Sequence, residues 1–153
     1  MNTNFKEMLL CLNELGVKYL IVGGYAIIEY TEPRYTKDLD IWVEADSTNA
    51  KKLINALGKF GAPLYGATAE DFSVEGNILQ IGIAPIRIDI ISSIDGVSFL
   101  DAWDKKVEID FDGVKTYIIS AEDLLKNKKA SKRQRDNDEA KVLELAMQKM
   151  KKS

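Results

Sequence analysis

Apolar residues recur at helical spacing in Phe5, Met8, Leu9, Leu12 and Leu15, and Gly16 stands where such a helix would end. The period then changes. Lys18 to Val22 alternates as a strand and runs into Gly23-Gly24, and Tyr25 to Glu29 predicts the first turns of a helix. Thr31 to Lys37, polar and interrupted by Pro33, predicts a loop. Leu39 to Val43 predicts a second strand that, if extended, turns Ile41 and Val43 away from Asp40 and Trp42. Asp46, Ser47 and Thr48 offer caps for a helix with the stripe Ala50, Leu53, Ile54 and Leu57, ending at Gly61. Pro63 to Asp71 reads as irregular. Ile78 to Ile83 and Arg87 to Ile91 read as strands separated at Ala84-Pro85. Phe99, Ala102 and Trp103 suggest a short helix. Val107 to Phe111 and Val114 to Ile119 flank Asp112-Gly113, two residues that tolerate positive φ, which predicts a hairpin. Ser120 and Asp123 have the spacing of a capping box opening a helix through about Lys132. A last helix runs from about Asp136 to Met150; its stripe of Leu143, Ala146, Met147 and Met150, widened by Val142 and Leu145, is expected to pack in the core.

Alternating strand and helix patterns with a hairpin predict one α+β domain over residues 1–153. Its mixed β-sheet, flanked by helices, lies in about 1–119 and C-terminal helices fill about 120–150. A chain of 153 residues, 46% hydrophobic and 29% charged, is enough for a real core and belongs with ordinary globular proteins. No apolar run reaches the roughly 20 residues that span a bilayer. The segment Met1 to Lys6 lacks the basic-then-apolar order of a secretory signal, so a cytoplasmic protein without membrane partners is expected.

Composition narrows the chemistry. There is no histidine, which removes Ser-His-Asp and Cys-His nucleophile systems and the usual zinc hydrolase sites. The single cysteine, Cys11, excludes an internal disulfide and a cysteine-cluster zinc site. Catalysis is left to carboxylates, Lys, Arg, Ser, Thr, Tyr and bound ions. A net charge of −3 disfavours a general grip on nucleic acid, though not a local basic patch.

Four pieces stand out. Gly23-Gly24, after a strand and before a helix, exposes N–H groups at a positive helix end and lets a phosphate approach; a plain turn would look the same. Asp38 and Asp40, two apart on a strand, share a face and repel unless a cation lies between them; the bland alternative is two exposed acids on an edge strand, against which the apolar Leu39, Ile41 and Val43 argue for a central one. Mg²⁺ takes carboxylate oxygens together with substrate phosphates. Asp89 interrupts the apolar strand Arg87 to Ile91 and needs a metal or a partner, Arg87 on the same face being the alternative mate. The basic stretch Lys126, Lys128, Lys129, Lys132, Arg133 and Arg135, followed by Asp136, reads mainly as a solvated helix face, with Lys128 and Arg133 within reach of a triphosphate as the second reading.

Glycine turn, helix, acid pair and later third acid, in that order, resemble the nucleotidyltransferase superfamily that includes the DNA polymerase beta-like enzymes. The segment Arg34-Tyr35-Thr36-Lys37-Asp38-Leu39-Asp40 is similar to the R-x-T/S-x-D-x-D of bacterial members like the AbiEii toxin group. Asp123-Leu124-Leu125-Lys126-Asn127-Lys128, with Arg133 and Asp136, resembles their D-L-x-x-x-K…R-x-x-D segment. Glu139, where Asp is common, and Gln134, where Pro is frequent, depart from that pattern without touching the acids.

The resemblance implies a nucleotidyltransferase-like fold and transfer of an NMP from an NTP to a hydroxyl acceptor: RNA or tRNA, a protein, or a small molecule. Asp38, Asp40 and Asp89 would be the catalytic acids and the ligands of Mg²⁺ (or Mn²⁺), two ions about 3.5–4 Å apart clamping the entering and leaving oxygens. Gly23 and Gly24 would hold the triphosphate. Arg34, Thr36, Lys128 and Arg133 would contact its phosphates, with Asp136 orienting Lys128 or Arg133. A toxin–antitoxin setting would supply an antitoxin partner; a homodimer is the other expected assembly. The rival expectation is an inactive nucleotide-binding or protein-interaction module of the same fold.

Overall fold

The computed structural model describes residues 3–33, 36, 38–83 and 86–152. Elements follow in the order α1 (Thr3–Glu14), β1 (Tyr19–Val22), α2 (Gly23–Tyr30), β2 (Asp38–Val43), α3 (Ser47–Phe60), β3 (Ile78–Ile83), β4 (Ile86–Ile91), α4 (Phe99–Asp104), β5 (Val107–Phe111), β6 (Val114–Ile118), α5 (Ala121–Ala130) and α6 (Gln134–Lys152). A single turn of 3₁₀ helix, Asp71–Ser73, closes the irregular stretch before β3. The break expected at Ala84-Pro85 lies outside the described residues.

The six strands form one mixed sheet in the order β3-β4-β2-β1-β6-β5. β2 runs parallel to β4 and β1 parallel to β6, while β1–β2, β3–β4 and β5–β6 pair antiparallel. β2 is therefore an inner strand. Its side chains split as period two requires: Leu39, Ile41 and Val43 are buried on one face, and Asp38 and Asp40 stand half-exposed on the other. Trp42 shares the face of the acids but is buried edge-on against Phe99 of α4, with ring centroids 5.0 Å apart.

Local chemistry sets the element ends. Asp46 caps α3 by accepting the Asn49 N–H at 2.6 Å, and Gly61 closes it in the left-handed region at φ +87°. Asn49 also ties α3 to the sheet, accepting from the Lys18 N–H and donating to the Lys18 and Glu44 carbonyls. Asp112 and Gly113 turn the β5–β6 hairpin with φ of +51° and +90°. Ser120 caps α5, accepting the Asp123 N–H at 3.1 Å.

Three expectations change. α2 begins at Gly23 itself, not at Tyr25, so both glycines lie in its first turn. α5 stops at Ala130 because Ser131 is extended, and α6 then starts at Gln134, earlier than Asp136. The stripe on α6 is also not all core. Leu143 is fully buried and Met147 packs on the core, but Val142, Leu145 and Met150 are exposed. Residues 142 and 145 lie about 100° and 200° around the helix from Leu143, and α5 and α2 cover one side of it.

Candidate active site

The parallel register of β2 and β4 places Asp40 beside Asp89 and Asp38 beside Arg87. Since Asp38 and Asp40 share a face and cross-strand partners point the same way, three acids converge on one side of the sheet. Arg87 stands among them. Its Nη2 donates to Asp38 Oδ2 at 2.9 Å and to Asp89 Oδ2 at 3.3 Å. Its Nε lies 3.0 Å from Asp89 Oδ1, a charge contact whose angle falls short of a hydrogen bond. The two readings of Asp89 are thus both present: it joins the acid pair, and Arg87 is its mate.

One guanidinium does not balance three carboxylates. Burial, then repulsion from Asp89 and Asp38, pushes the Asp40 carboxyl up to about 7, against the pull of Lys128 and Arg87. Burial also raises Asp89, which Arg87 partly offsets. Among the described residues no three acidic side chains form a closed ligand set as they stand. The donor chemistry nonetheless suits a hard divalent cation: carboxylate oxygens alone, a buried Asp89 Oδ1 without a hydrogen bond, and an excess of negative charge.

The glycine turn touches this cluster. Gly23 has φ +68°, and a Cβ there would collide with Asp40 Oδ2. A Cβ on Gly24 would meet Thr36 Oγ1 at 2.5 Å. Glycine at these places lets the start of α2 lie directly against an acid and a hydroxyl. Arg34 lies outside the described residues.

The C-terminal helices bring the positive charge. Lys128 is 6% exposed and donates to Asp136 Oδ1 at 3.0 Å and Glu139 Oε1 at 3.3 Å. Asp136 also accepts from Ser131 Oγ at 2.6 Å and Arg133 Nε at 3.0 Å. Burial alone would raise the Asp136 carboxyl, but these hydrogen bonds and the Lys128 and Arg133 charges outweigh it and hold it low. Asp136 therefore contacts both Lys128 and Arg133. A cleft of about 230 Å³ joins the two halves, with Gly23 and Asp40 on one wall and Asn127, Lys128, Arg133 and Asp136 on the other.

Ser93 and Asp95 also line this cleft, and no motif or period in the sequence marks them. They follow β4 directly, and Asn127 donates to the Asp95 carbonyl at 3.0 Å. Ser131 and Glu139 carried a readable signal in part: Glu139 is three residues after Asp136 on one helix face.

The fold is that of the nucleotidyltransferases. Lincomycin-bound LnuA, a lincosamide antibiotic adenylyltransferase, superposes with a TM-score of 0.58 at 18% identity, covering 94% of this chain and 96% of that one. ANT(2'')-Ia in complex with adenylyl-2''-tobramycin gives 0.60 at 14% identity, covering 95% and 88%. An antigenic nucleotidyltransferase-like protein from Paracoccidioides brasiliensis gives 0.53 at 14%, covering 94% and 74%. No curated protein matches the chain by sequence. Residues 3–150 match the family described as "Nucleotidyltransferase of unknown function (DUF6036)", and the chain belongs to that family.

Proposed function

We propose that this protein transfers an NMP from an NTP to a hydroxyl group of a small-molecule acceptor, using Mg²⁺ or Mn²⁺ held by Asp38, Asp40 and Asp89. The observation that carries this reading is the register of β2 and β4, which sets Asp40 against Asp89 on the face of Asp38, beside the N-terminus of α2. A small acceptor is favoured by the likeness to LnuA and ANT(2'')-Ia, whose structures contain lincomycin and adenylyl-2''-tobramycin.

Divalent ions bound there supply charge neutralisation and activation of the attacking hydroxyl. The chain's own groups do the rest. The amides of Gly23 and Gly24, at the positive end of α2, receive phosphate oxygens. Lys128, held by Asp136 and Glu139, faces the cleft opposite Asp40 and meets the triphosphate together with Arg133. Thr36, in the segment leading into β2, is placed to hydrogen-bond the phosphates, and Arg34 is proposed to pair with them on the sequence pattern alone. The bond from the α-phosphorus to the pyrophosphate oxygen breaks, the bond to the acceptor oxygen forms, and the acceptor proton passes to the carboxylate cluster.

The test is transfer of label from α-labelled NTPs to a panel of hydroxylated small molecules, total RNA and total protein, with pyrophosphate release measured alongside. The expected result is Mg²⁺-dependent labelling of a small molecule that Asp40→Asn and Asp89→Asn each abolish. Label entering RNA or protein alone would replace the acceptor. NTP binding by calorimetry that is indifferent to Mg²⁺, with no transfer, would make the chain a binding module.

A further inference from the structure

α6 carries two stripes. Asp136, Ala140, Leu143 and Met147 turn inward. On its other side Arg135, Asp138, Val142, Leu145 and Lys149 repeat at intervals of three and four residues, all exposed. Val142 is 53% exposed and Leu145 60%, and both line an open groove of about 930 Å³ whose opposite wall includes Ile27 and Pro33. A concave apolar surface of this kind, rimmed by charge, marks an interaction face.

We infer that the groove receives α6 of a second copy of this chain, packed antiparallel about a two-fold axis. The heptad spacing fits a helix, since a seam from Arg135 to Lys149 runs about 21 Å at 1.5 Å per residue. The charges choose the direction. A parallel pair would set Arg135, Asp138 and Lys149 each against its own copy, three like-charge contacts. An antiparallel pair centred between Val142 and Leu145 sets Val142 against the partner's Leu145. The same register sets Asp138 against the partner's Lys149, and symmetry makes each contact twice; Arg135 falls opposite residue 152, a lysine, so like charges meet only at the two ends of the pair rather than at every charged position. A self-complementary surface selects its own copy over an unrelated protein, because Asp138 finds its base, Lys149, on the same face of the same helix. The opposite wall is mixed, with exposed Pro33 beside Thr31 and Glu32 and the buried Ile27 behind them.

The seam adjoins the site without entering it. Glu139 lines the groove and holds Lys128 on the inner side of the same helix. Pairing therefore covers the outer flank of the network that carries the basic wall of the cleft.

The full chain is examined by sedimentation over a wide concentration range, with circular dichroism to confirm the fold of each variant. The expected result is a reversible dimer. Asp138→Lys and Lys149→Asp should each weaken it at least roughly tenfold, since each brings like charges together at two symmetric places. The double variant restores the pairing with signs exchanged and should recover the dimer. Leu145→Glu should leave a folded monomer, and Val142→Ser should weaken the pair. A wild-type chain that is monomeric throughout overturns the inference, as does a dimer indifferent to Leu145→Glu. A double variant no better than either single overturns the antiparallel arrangement.

Discussion

Asp40→Asn should stabilise the metal-free protein while ending its activity. The substitution keeps the shape of the side chain and removes the charge that the site holds at a penalty. A carboxyl moved from 3.8 to about 7 by folding binds its proton more tightly in the folded state. Each tenfold change in proton affinity is worth about 1.4 kcal/mol, so ionising Asp40 weakens the fold by at most about 4 kcal/mol. The sign follows from the direction of the shift. Below about pH 4 the group is protonated in both states and contributes nothing; the penalty grows from there to about pH 7 and is complete above it. Urea unfolding in EDTA at pH 8 should show Asp40→Asn more stable than wild type by about 2–4 kcal/mol, and the gap should shrink towards zero at pH 4.5. Adding Mg²⁺ at pH 8 should stabilise the wild type and close most of the gap, because a ligand that binds only the folded state stabilises it by mass action. If the variant is less stable at both pH values, the acids are adequately compensated within the chain and the case for a cation among them collapses.

Gly23→Ala should destabilise by about 1–2 kcal/mol from its left-handed backbone alone and abolish transfer by displacing Asp40. Gly58→Ala, in α3 with open space at its Cβ, should instead stabilise by about 0.5–1 kcal/mol; thermal melts of the two variants compare them directly. Lys128→Met leaves Asp136 and Glu139 buried without their shared cation and should lower stability by on the order of 3 kcal/mol at pH 7, measured by urea unfolding. Because Asp136 is held low, the stability lost in that variant should be largest above pH 4 and fall as the pH drops through the carboxylate range. Arg87→Gln removes the guanidinium bonded to Asp38 and Asp89 and should raise Mn²⁺ affinity in calorimetry while lowering stability in EDTA.

Much of this arrangement was legible because it rests on period and spacing. Asp38 and Asp40 had to share a face once β2 was a strand, and the apolar Leu39, Ile41 and Val43 marked that strand as inner. The hairpin at Asp112-Gly113 and the caps at Asp46 and Ser120 were local chemistry, readable within four residues. The pairing of Asp40 with Asp89 was not local. A parallel partnership between strands 49 residues apart depends on which strand lies next to which, and no period in the chain encodes that. Arg87 illustrates the same limit: its bond to Asp89 follows from being two residues away, but its bond to Asp38 exists only through the sheet. The outer stripe of α6 misled for a different reason. Hydrophobic spacing reports that a face is apolar, not what covers it, and Val142 and Leu145 fit a core and an interface equally well.

The two halves of the cleft are made at different times. Ribosomal synthesis delivers Gly23, Asp38, Asp40 and Asp89 well before α5 and α6 emerge, so a nascent or truncated chain ending at the hairpin holds the anionic wall without Lys128 or Arg133. Such a fragment carries mutually repelling acids with Arg87 as the sole counter-charge described among them. Emergence of α5 and the turn after it is thus the event that first sets basic groups against the acids, and shortening before Asp136 would leave Lys128 and Arg133 in place without the carboxylates that hold them.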